Sequence, residues 1–300
     1  MSIARQRKGK KTTVSIVGSG RLGTALAKVL FTSRYEIQAV VARRIAHARR
    51  ARSLLSPATL ALSEKDLQAL PASKIILITT PDGDISTTAA RIAALGAASR
   101  GRTVLHTSGA LAASEVLAPL AAAGFATGSL HPLVSISDPR TGSEKLRGAF
   151  YCLEGDAGAR RVARSIVRDL EGHSFQIDSD YKPLYHGAAV MASGHVTALV
   201  AVAIEMLVLC GLDKRTARRV LMPLLESTVA NLSVSEPAAA LTGTFARGDL
   251  DTVKRHLKAL SSKRLSEALA AYKLLGRRSL ELARKKLDVE TRKKILRELE

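Results

Sequence analysis

The sequence predicts a doubly wound, mostly parallel α/β sheet that is followed by an all-helical domain. A short apolar strand runs into a glycine-rich turn and an amphipathic helix over 14–30, and strand-like and helix-like segments alternate up to about residue 178. After Asp180 the strand patterns stop and long Ala- and Leu-rich segments follow. Alternating strands and helices are typical of a parallel sheet covered on both faces. We therefore divide the chain into a basic arm (1–11), a sheet domain (12–178) and a helical domain (179–300).

The first element carries a nucleotide-type turn, Gly18-Ser19-Gly20-Arg21-Leu22-Gly23. Gly18 permits a tight exit from the strand, Gly20 lets a pyrophosphate approach the backbone, and Gly23 lets the helix lie close to the strand. The anion would then bind the free N–H groups at the helix N-terminus. The alternative is a plain strand-to-helix turn.

The second strand, 37–42, ends in Arg43-Arg44, and no Asp or Glu occurs between Glu36 and Glu64. NAD-binding turns place a carboxylate on the ribose at this point, whereas an arginine accommodates the 2′-phosphate of NADP. The sequence therefore predicts NADP(H), with Arg43 and Arg44 as phosphate ligands. The alternative is a solvated arginine face, which we prefer for Arg49, Arg50 and Arg52.

Further strands are predicted at 75–79, 103–106, 125–130, 150–153 and 175–177. The carboxyl ends of parallel strands carry the chemistry of such sheets. Thr80 and Pro81 would lie beside the ribose and nicotinamide, and Asp82 and Asp84 would cap the next helix. Ser108 either faces the nicotinamide or caps its own turn. His131 is interpreted as a structural histidine.

In the helical domain, His186, Ser193 and Thr197 are spaced by seven and four residues, which places them on one stripe of a regular helix. A polar stripe on an apolar helix must face water or a polar pocket. Further on, Arg247 could hold a substrate carboxylate or simply bond to the backbone of its loop, and Asp249 is predicted to cap the helix that follows.

Composition excludes several classes. The net charge of +20 is dispersed along the chain and aromatic residues make up 3%, so a specific nucleic-acid partner is not expected. Cys152 and Cys210 show no metal or redox spacing and are interpreted as buried thiols of a cytoplasmic protein. The apolar run 196–211 is interrupted by Glu205 and is too short to span a membrane. The basic N-terminus lacks an apolar signal region.

Several motifs together resemble the Rossmann-like proteins that carry a DUF2520 domain. They are the glycine turn, His106-Thr-Ser-Gly-Ala, Ser129-Leu-His-Pro, Leu184-Tyr-His-Gly-Ala-Ala, Pro223-Leu-Leu with Asn231-Leu, and Leu241-Thr-Gly with Ala-Arg247-Gly-Asp. The resemblance implies a 6-phosphogluconate-dehydrogenase-like architecture and an NADP oxidoreductase of the F420-dependent type, although nothing in the sequence indicates F420 itself. Gly194, where such proteins often have Asn, and Thr244, where Pro is common, depart from the pattern.

These observations lead to one main hypothesis. The chain would be an NADPH-dependent reductase of a small, anionic keto or imino acid bound in an interdomain cleft, and a homodimer formed through the helical domain. His186, or a water held by Ser108, Ser193 and Asn231, would supply the proton, and Arg247 would orient the anionic group. Lys182 and Tyr185 are neighbouring candidates. The alternatives are a non-catalytic NADP-binding redox sensor, a nucleic-acid-binding protein and, least favoured, a methyltransferase.

Overall fold

The computed structural model describes residues 11–33, 35–96, 99–262 and 265–300. Apart from Lys11, the predicted basic arm lies outside these residues. The chain forms two compact units, of which the first ends at Ser193 and the second begins at Gly194. Each unit is described by itself.

The first unit contains an eight-stranded sheet in the order β3-β2-β1-β4-β5-β6-β7-β8. Neighbouring strands are parallel except for β6 and β7, which pair antiparallel. The predicted doubly wound, mostly parallel sheet is confirmed. Its strands are β1 (Thr12–Val17), β2 (Tyr35–Ala42), β3 (Leu60–Ser63), β4 (Ile75–Ile78), β5 (Thr103–His106), β6 (Ala126–Pro132), β7 (Phe150–Gly155) and β8 (His173–Gln176).

Helices cover both faces of this sheet. The helices of the first unit are α1 (Arg21–Thr32), α2 (Ile45–Arg52), α3 (Asp82–Ala93), α4 (Ala113–Val116), α5 (Ala118–Ala122), α6 (Pro139–Lys145), α7 (Ala157–Asp169) and α8 (Lys182–Val190). Successive residues of β4 belong to two cores: Leu77 packs with α1 and α7, whereas Ile78 packs with α3 and α5. Burial on both faces explains why the strands read as continuous apolar runs.

One strand was not predicted. It is β3 (Leu60–Ser63), which has four residues and pairs only with β2 at the edge of the sheet. Its first residue, Leu60, is exposed. A short, half-buried edge strand shows neither a continuous apolar run nor a clear alternation, and so gives little pattern in the sequence.

The second unit is helical, as predicted. Its helices are α9 (Val196–Leu209), α10 (Lys214–Val234), α11 (Pro237–Ala240), α12 (Thr244–Arg247), α13 (Leu250–Ser262), α14 (Ser266–Leu282) and α15 (Val289–Glu298). The last two helices are separate, and Asp288 caps α15 by accepting a hydrogen bond from Thr291 N at 2.8 Å. Val253, Leu280, Ile295 and Leu299 form a small core.

Two expectations about the helical region are wrong. The helical stretch Ser179–Leu209 has 31 residues, and by length and composition alone it could cross a membrane. It is longer than the run 196–211 because it also includes α8 and the π-helical segment Met191–His195, which joins α8 to α9. Cys210 is exposed at the end of α9, whereas Cys152 is buried in β7 as expected.

Candidate functional site

The glycine turn joins β1 to α1 in the way that its sequence predicts. Gly18 has φ +115°, a conformation that favours glycine. A methyl group on Gly23 would stand 1.9 Å from the Gly18 carbonyl oxygen, so only glycine lets α1 approach the strand this closely. Thr79, which directly follows β4, supports the turn. Its N–H donates to the Val17 carbonyl at 2.8 Å, and its hydroxyl donates to the Gly18 carbonyl.

The N-terminus of α1 is open. A methyl group on Gly20 would meet no atom within 4 Å. Gly20 caps the helix without any side-chain hydrogen bond, and the first turn contains no acidic residue. The free backbone N–H groups and the helix dipole therefore favour an anion here.

A pocket of about 610 Å³ extends from this turn along the carboxyl edge of the sheet. Of the residues predicted to bind a cofactor, Gly23 lies beneath the turn and Ser108 lies elsewhere. The others all line the pocket: Gly18, Ser19, Gly20, Arg21, Leu22, Arg43, Arg44, Thr80 and Pro81. The hydroxyl of Thr80 is buried and has no hydrogen-bond partner in the described part of the chain, so it can offer a hydrogen bond to a ligand.

Arg43 has a partner that the sequence did not indicate. Its guanidinium forms an ion pair with Asp84 at 2.9 Å, with both side chains largely exposed. The prediction that Asp82 and Asp84 cap the next helix is wrong. The helix begins at Asp82 itself and its cap residue, Pro81, makes no side-chain bond, so both carboxylates are free to pair with other residues.

The Ser108 hydroxyl has all of its hydrogen-bonding positions occupied, by Asp82 of α3 and by its own turn. Its hydroxyl donates to Asp82 at 2.9 Å and accepts from the N–H groups of Ala110 and Leu111 at 3.1 and 3.2 Å. One donor and two acceptor positions are all that a hydroxyl has. Of the two roles left open for Ser108, this geometry favours the turn-capping one.

A buried ion pair lies behind this turn. Lys182, which is fully buried, places Nζ 3.6 Å from a Glu154 carboxylate oxygen and donates to Ser129 Oγ at 2.8 Å and to the Ser108 carbonyl at 3.3 Å. Glu154 also accepts from Ala113 N at 3.0 Å. Burial lowers the pKa of Lys182, and Glu154 opposes that effect. The pair fixes the first residue of α8 against the sheet.

Two histidines meet over Gly109. A methyl group on Gly109 would stand 2.7 Å from His186 Cδ2 and 2.9 Å from His131 Nε2, so glycine is required for this packing. The His131 and His186 ring centroids are 5.8 Å apart. His131 Nδ1 is 2.7 Å from the hydroxyl of Tyr185. His186, which is half-buried, therefore lies beside the turn that carries Ser108.

Two histidines, the buried His106 and the partly buried His131, are held neutral. Burial, with Lys182 and His131 adding to the effect, lowers the pKa of His106 to about 3. Burial, with His186 and Lys182, lowers the pKa of His131 to about 4. His106 accepts from Ser108 N at Nδ1 (3.1 Å), and its Nε2 has no partner among the described residues.

The predicted polar stripe is not continuous. A π-helical segment, Met191–His195, separates α8 from α9, so the regular spacing assumed for His186, Ser193 and Thr197 fails across it. Ser193 is exposed in this segment, and Asn231 on α10 and Arg247 at the end of α12 are exposed in the second unit. Asp249 caps α13 as predicted, accepting from Thr252 N at 3.0 Å.

The sequence does not indicate the residues that lie beside Lys182 and Tyr185. They are Glu154, which pairs with Lys182, and Cys152, which lies next to Tyr185. The available signal was a single carboxylate in the otherwise apolar strand β7, because a charge in a buried strand requires a counter-charge.

Two family models match the chain. A Rossmann-like domain model matches residues 3–132, and the model of DUF2520, a domain of unknown function, matches residues 149–279. The resemblance found in the sequence is thereby confirmed. The second match begins inside the sheet, at β7. No protein with a curated function matches the sequence.

Solved structures share the fold over nearly the whole chain. A protein from Bacteroides fragilis described as a candidate NADP oxidoreductase is 22% identical, with TM-score 0.70 over 90% of this chain and 98% of that one. A Thermotoga maritima protein is 21% identical, with TM-score 0.68 over 91% and 98%. The Plasmodium falciparum pyrroline carboxylate reductase with NADP bound is 12% identical, with TM-score 0.58 over 91% and 98%. At these identities the likeness concerns the fold.

Proposed function

Because the chain joins a Rossmann-like domain to a DUF2520 domain, we propose that it is an NADP(H)-dependent oxidoreductase that reduces a small keto or imino acid. The observation that carries the proposal is the pocket along the carboxyl edge of the sheet, which starts at an anion-binding turn and reaches Thr80 and Thr107. This is the edge at which ligands bind in open parallel sheets.

The residues present fit a dinucleotide. The open backbone at Gly20 and the uncapped N-terminus of α1 suit a pyrophosphate. The unpartnered Thr80 hydroxyl suits a ribose or amide oxygen. Gly18, Ser19, Arg21 and Leu22 would complete the cradle, and Pro81 would border the nicotinamide half. Gly23, which lies below the turn, would contribute by letting α1 pack close to β1.

The preference for NADP(H) rests on Arg43 and Arg44. Both follow β2 directly and line the pocket, and an arginine can take a phosphate in a charge-assisted pair. Asp84 holds the Arg43 guanidinium at the pocket, so a 2′-phosphate would compete with this carboxylate. The pairing orients Arg43 and at the same time weakens its attraction for a phosphate.

A bound nicotinamide would supply the hydride. His186 is the proton donor that we propose, because it is half-buried and lies against Gly109 at the edge of the strand ends. Lys182 is a poor candidate, since its ammonium is fully buried among Glu154, Ser129 and the Ser108 carbonyl. Of the remaining predicted residues, Arg247 would hold the substrate carboxylate, and Ser193 and Asn231 would hold water. Ser108 would act only through its turn.

We also propose that two copies of the chain associate through the helical unit. Large apolar side chains are exposed along α9 and α10, among them Leu199, Leu209, Val220, Leu224, Val229 and Leu232. Exposed apolar patches of this extent mark association surfaces in soluble proteins. Sedimentation of the full chain should give a dimer, and Leu224→Glu with Val229→Glu should give a monomer.

The test is NADPH oxidation against a panel of 2-oxo acids and cyclic imines, with NADPH binding measured separately. The proposal predicts turnover that falls at least tenfold in His186→Ala, while NADPH binding is retained. His195→Ala, an exposed histidine nearby, is the matched control. Binding without turnover of any panel member would favour the redox-sensor alternative, and unchanged turnover in His186→Ala would contradict its proton role.

A further inference from the structure

We infer that Tyr185 is a positioning residue that fixes His131 as the Nε2–H tautomer, so that a neutral imidazole donates a hydrogen bond to a carbonyl or carboxylate oxygen of the substrate. The inference rests on the proposed function, which it deepens by adding a second histidine to the site. His131 was interpreted from the sequence as structural.

The first step concerns the direction of the hydrogen bond between Tyr185 and His131. The Tyr185 hydroxyl lies 2.7 Å from His131 Nδ1 and also interacts with the thiol of Cys152. An imidazole nitrogen is a far better acceptor than a thiol sulfur. The tyrosine proton is therefore given to His131 Nδ1, which leaves the ring proton on Nε2.

The Cys152 thiol lies next to Tyr185 and remains protonated. Burial raises its pKa, and the neighbouring Tyr185 hydroxyl and Ile177 backbone oppose that effect. Burial raises the pKa of both the Cys152 thiol and the Tyr185 hydroxyl. Both groups keep their protons at neutral pH, so Tyr185 has a hydroxyl proton to donate to His131 Nδ1.

The second step concerns the charge of His131. Burial together with His186 and Lys182 lowers its pKa to about 4, and His106 is packed nearby as a further neutral ring. His131 is therefore neutral at pH 7 and carries one N–H. A neutral imidazole of this kind can bind an oxygen without giving up its proton.

The third step concerns where that N–H points. The His131 Nε2 atom lies over Gly109, on the side of the ring shared with His186. Among the described residues no group hydrogen-bonds to Nε2, and the His131 side chain is only partly buried. The donor is thus available beside the histidine that we propose as the proton donor.

The tautomer is read from long-range ¹H–¹⁵N spectra of the full chain labelled with ¹⁵N-histidine, with His131 assigned by the loss of its signals in His131→Asn. The wild type should show Nε2 protonated and Nδ1 as an acceptor at pH 7. Tyr185→Phe removes only the hydroxyl, so it should give a mixture of tautomers and a His131 pKa higher by roughly half to one unit, the equivalent of one hydrogen bond. Tyr181→Phe, an exposed tyrosine, is the control and should change neither.

The same spectra test the donor role. With NADP⁺ present, pyruvate, phenylpyruvate and oxalate are added in turn, and at least one should shift the His131 Nε2–H proton downfield in the wild type and in Tyr181→Phe. A wild-type His131 protonated at Nδ1, an unchanged tautomer in Tyr185→Phe, or no shift with any of the three probes would overturn the inference. NADPH binding and turnover are measured separately, so the proposed function can survive that result.

Discussion

Two parts of the carboxyl edge of the sheet differ in burial. The side chain of Arg43, beside the glycine turn, is 73% exposed, whereas that of Lys182, at the start of α8, is 0% exposed. The nucleotide half, which comprises the glycine turn, Arg43 and Asp84, consists of backbone conformations and surface charges. The histidine half, which comprises His106, His131, Tyr185, His186 and the Lys182–Glu154 pair, consists of buried and half-buried side chains that contact one another. The comparison teaches that the first half can accept a ligand with little rearrangement, whereas the second half depends on the integrity of the fold.

The largest expected effect is on the buried ion pair. Lys182→Met leaves Glu154 without its counter-charge, and breaking a buried pair costs about 3–5 kcal/mol of unfolding free energy. Arg43→Ala removes an exposed pair and should cost less than about 1 kcal/mol. Urea denaturation of both variants measures the contrast.

The double variant Lys182→Met with Glu154→Gln is the control, because it removes both charges from the interior. It should be more stable than Lys182→Met alone. Equal stability losses in Lys182→Met and Arg43→Ala would remove the distinction between the two halves.

The second effect is a loss of stability in acid. His106 and His131 have folded-state pKa values of about 3 and about 4, below the ordinary 6.5. Their contribution to the free energy of unfolding is complete above pH 6.5. It is lost as the pH falls towards these values, because the histidines of the unfolded chain bind protons at a higher pH than those of the folded chain. Each histidine should account for on the order of 3 kcal/mol between pH 7 and pH 4.

This pH dependence is measured by urea denaturation at several pH values. His106→Gln should reduce the loss of unfolding free energy between pH 7 and pH 4 by about half, whatever the stability of the variant at pH 7. His256→Gln, which replaces an exposed histidine of the second unit, should leave the slope unchanged. A profile that is equally steep in His106→Gln would show that the buried ring is not responsible.

The third comparison lies within the glycine turn. Gly23→Ala forces a methyl group against the Gly18 carbonyl and should destabilise the protein by about 1–3 kcal/mol. Gly20→Ala meets open space, so stability should be unchanged while NADPH binding weakens at least tenfold. Thermal unfolding and calorimetric titration separate the two, and unchanged NADPH binding in Gly20→Ala would place the pyrophosphate elsewhere.

The smallest expected effect concerns Asp84. Asp84→Asn removes the carboxylate that competes for Arg43 and should tighten NADPH binding by about two- to fivefold, as expected for one exposed charge. Binding of NADH should stay the same. Weaker NADPH binding in Asp84→Asn would mean that positioning of Arg43 outweighs the competition.

The nucleotide half could be predicted from the sequence because its determinants are local. Six consecutive residues define the turn, and Arg43 follows a strand whose end is visible in the apolar pattern. The ion pair between Arg43 and Asp84 was missed because its partners are 41 residues apart.

The histidine half could be predicted only in part. Tyr185 and His131 are 54 residues apart, and Lys182 and Ser108 are 74 apart. Side-chain pairs at such separations follow from the order and register of the strands, which a single sequence does not specify. The π-helical segment 191–195 likewise depends on the packing of the helix rather than on its composition.

The central claim is that the pocket at the sheet edge binds NADP(H) through Arg43, and calorimetric titration of the wild type and Arg43→Ala with NADPH and NADH tests it most directly. We predict that the wild type binds NADPH about tenfold more tightly than NADH, the effect of one charge-assisted phosphate contact, and that this ratio approaches one in Arg43→Ala. Equal binding of both nucleotides by the wild type, or an unchanged ratio in the variant, would contradict the claim.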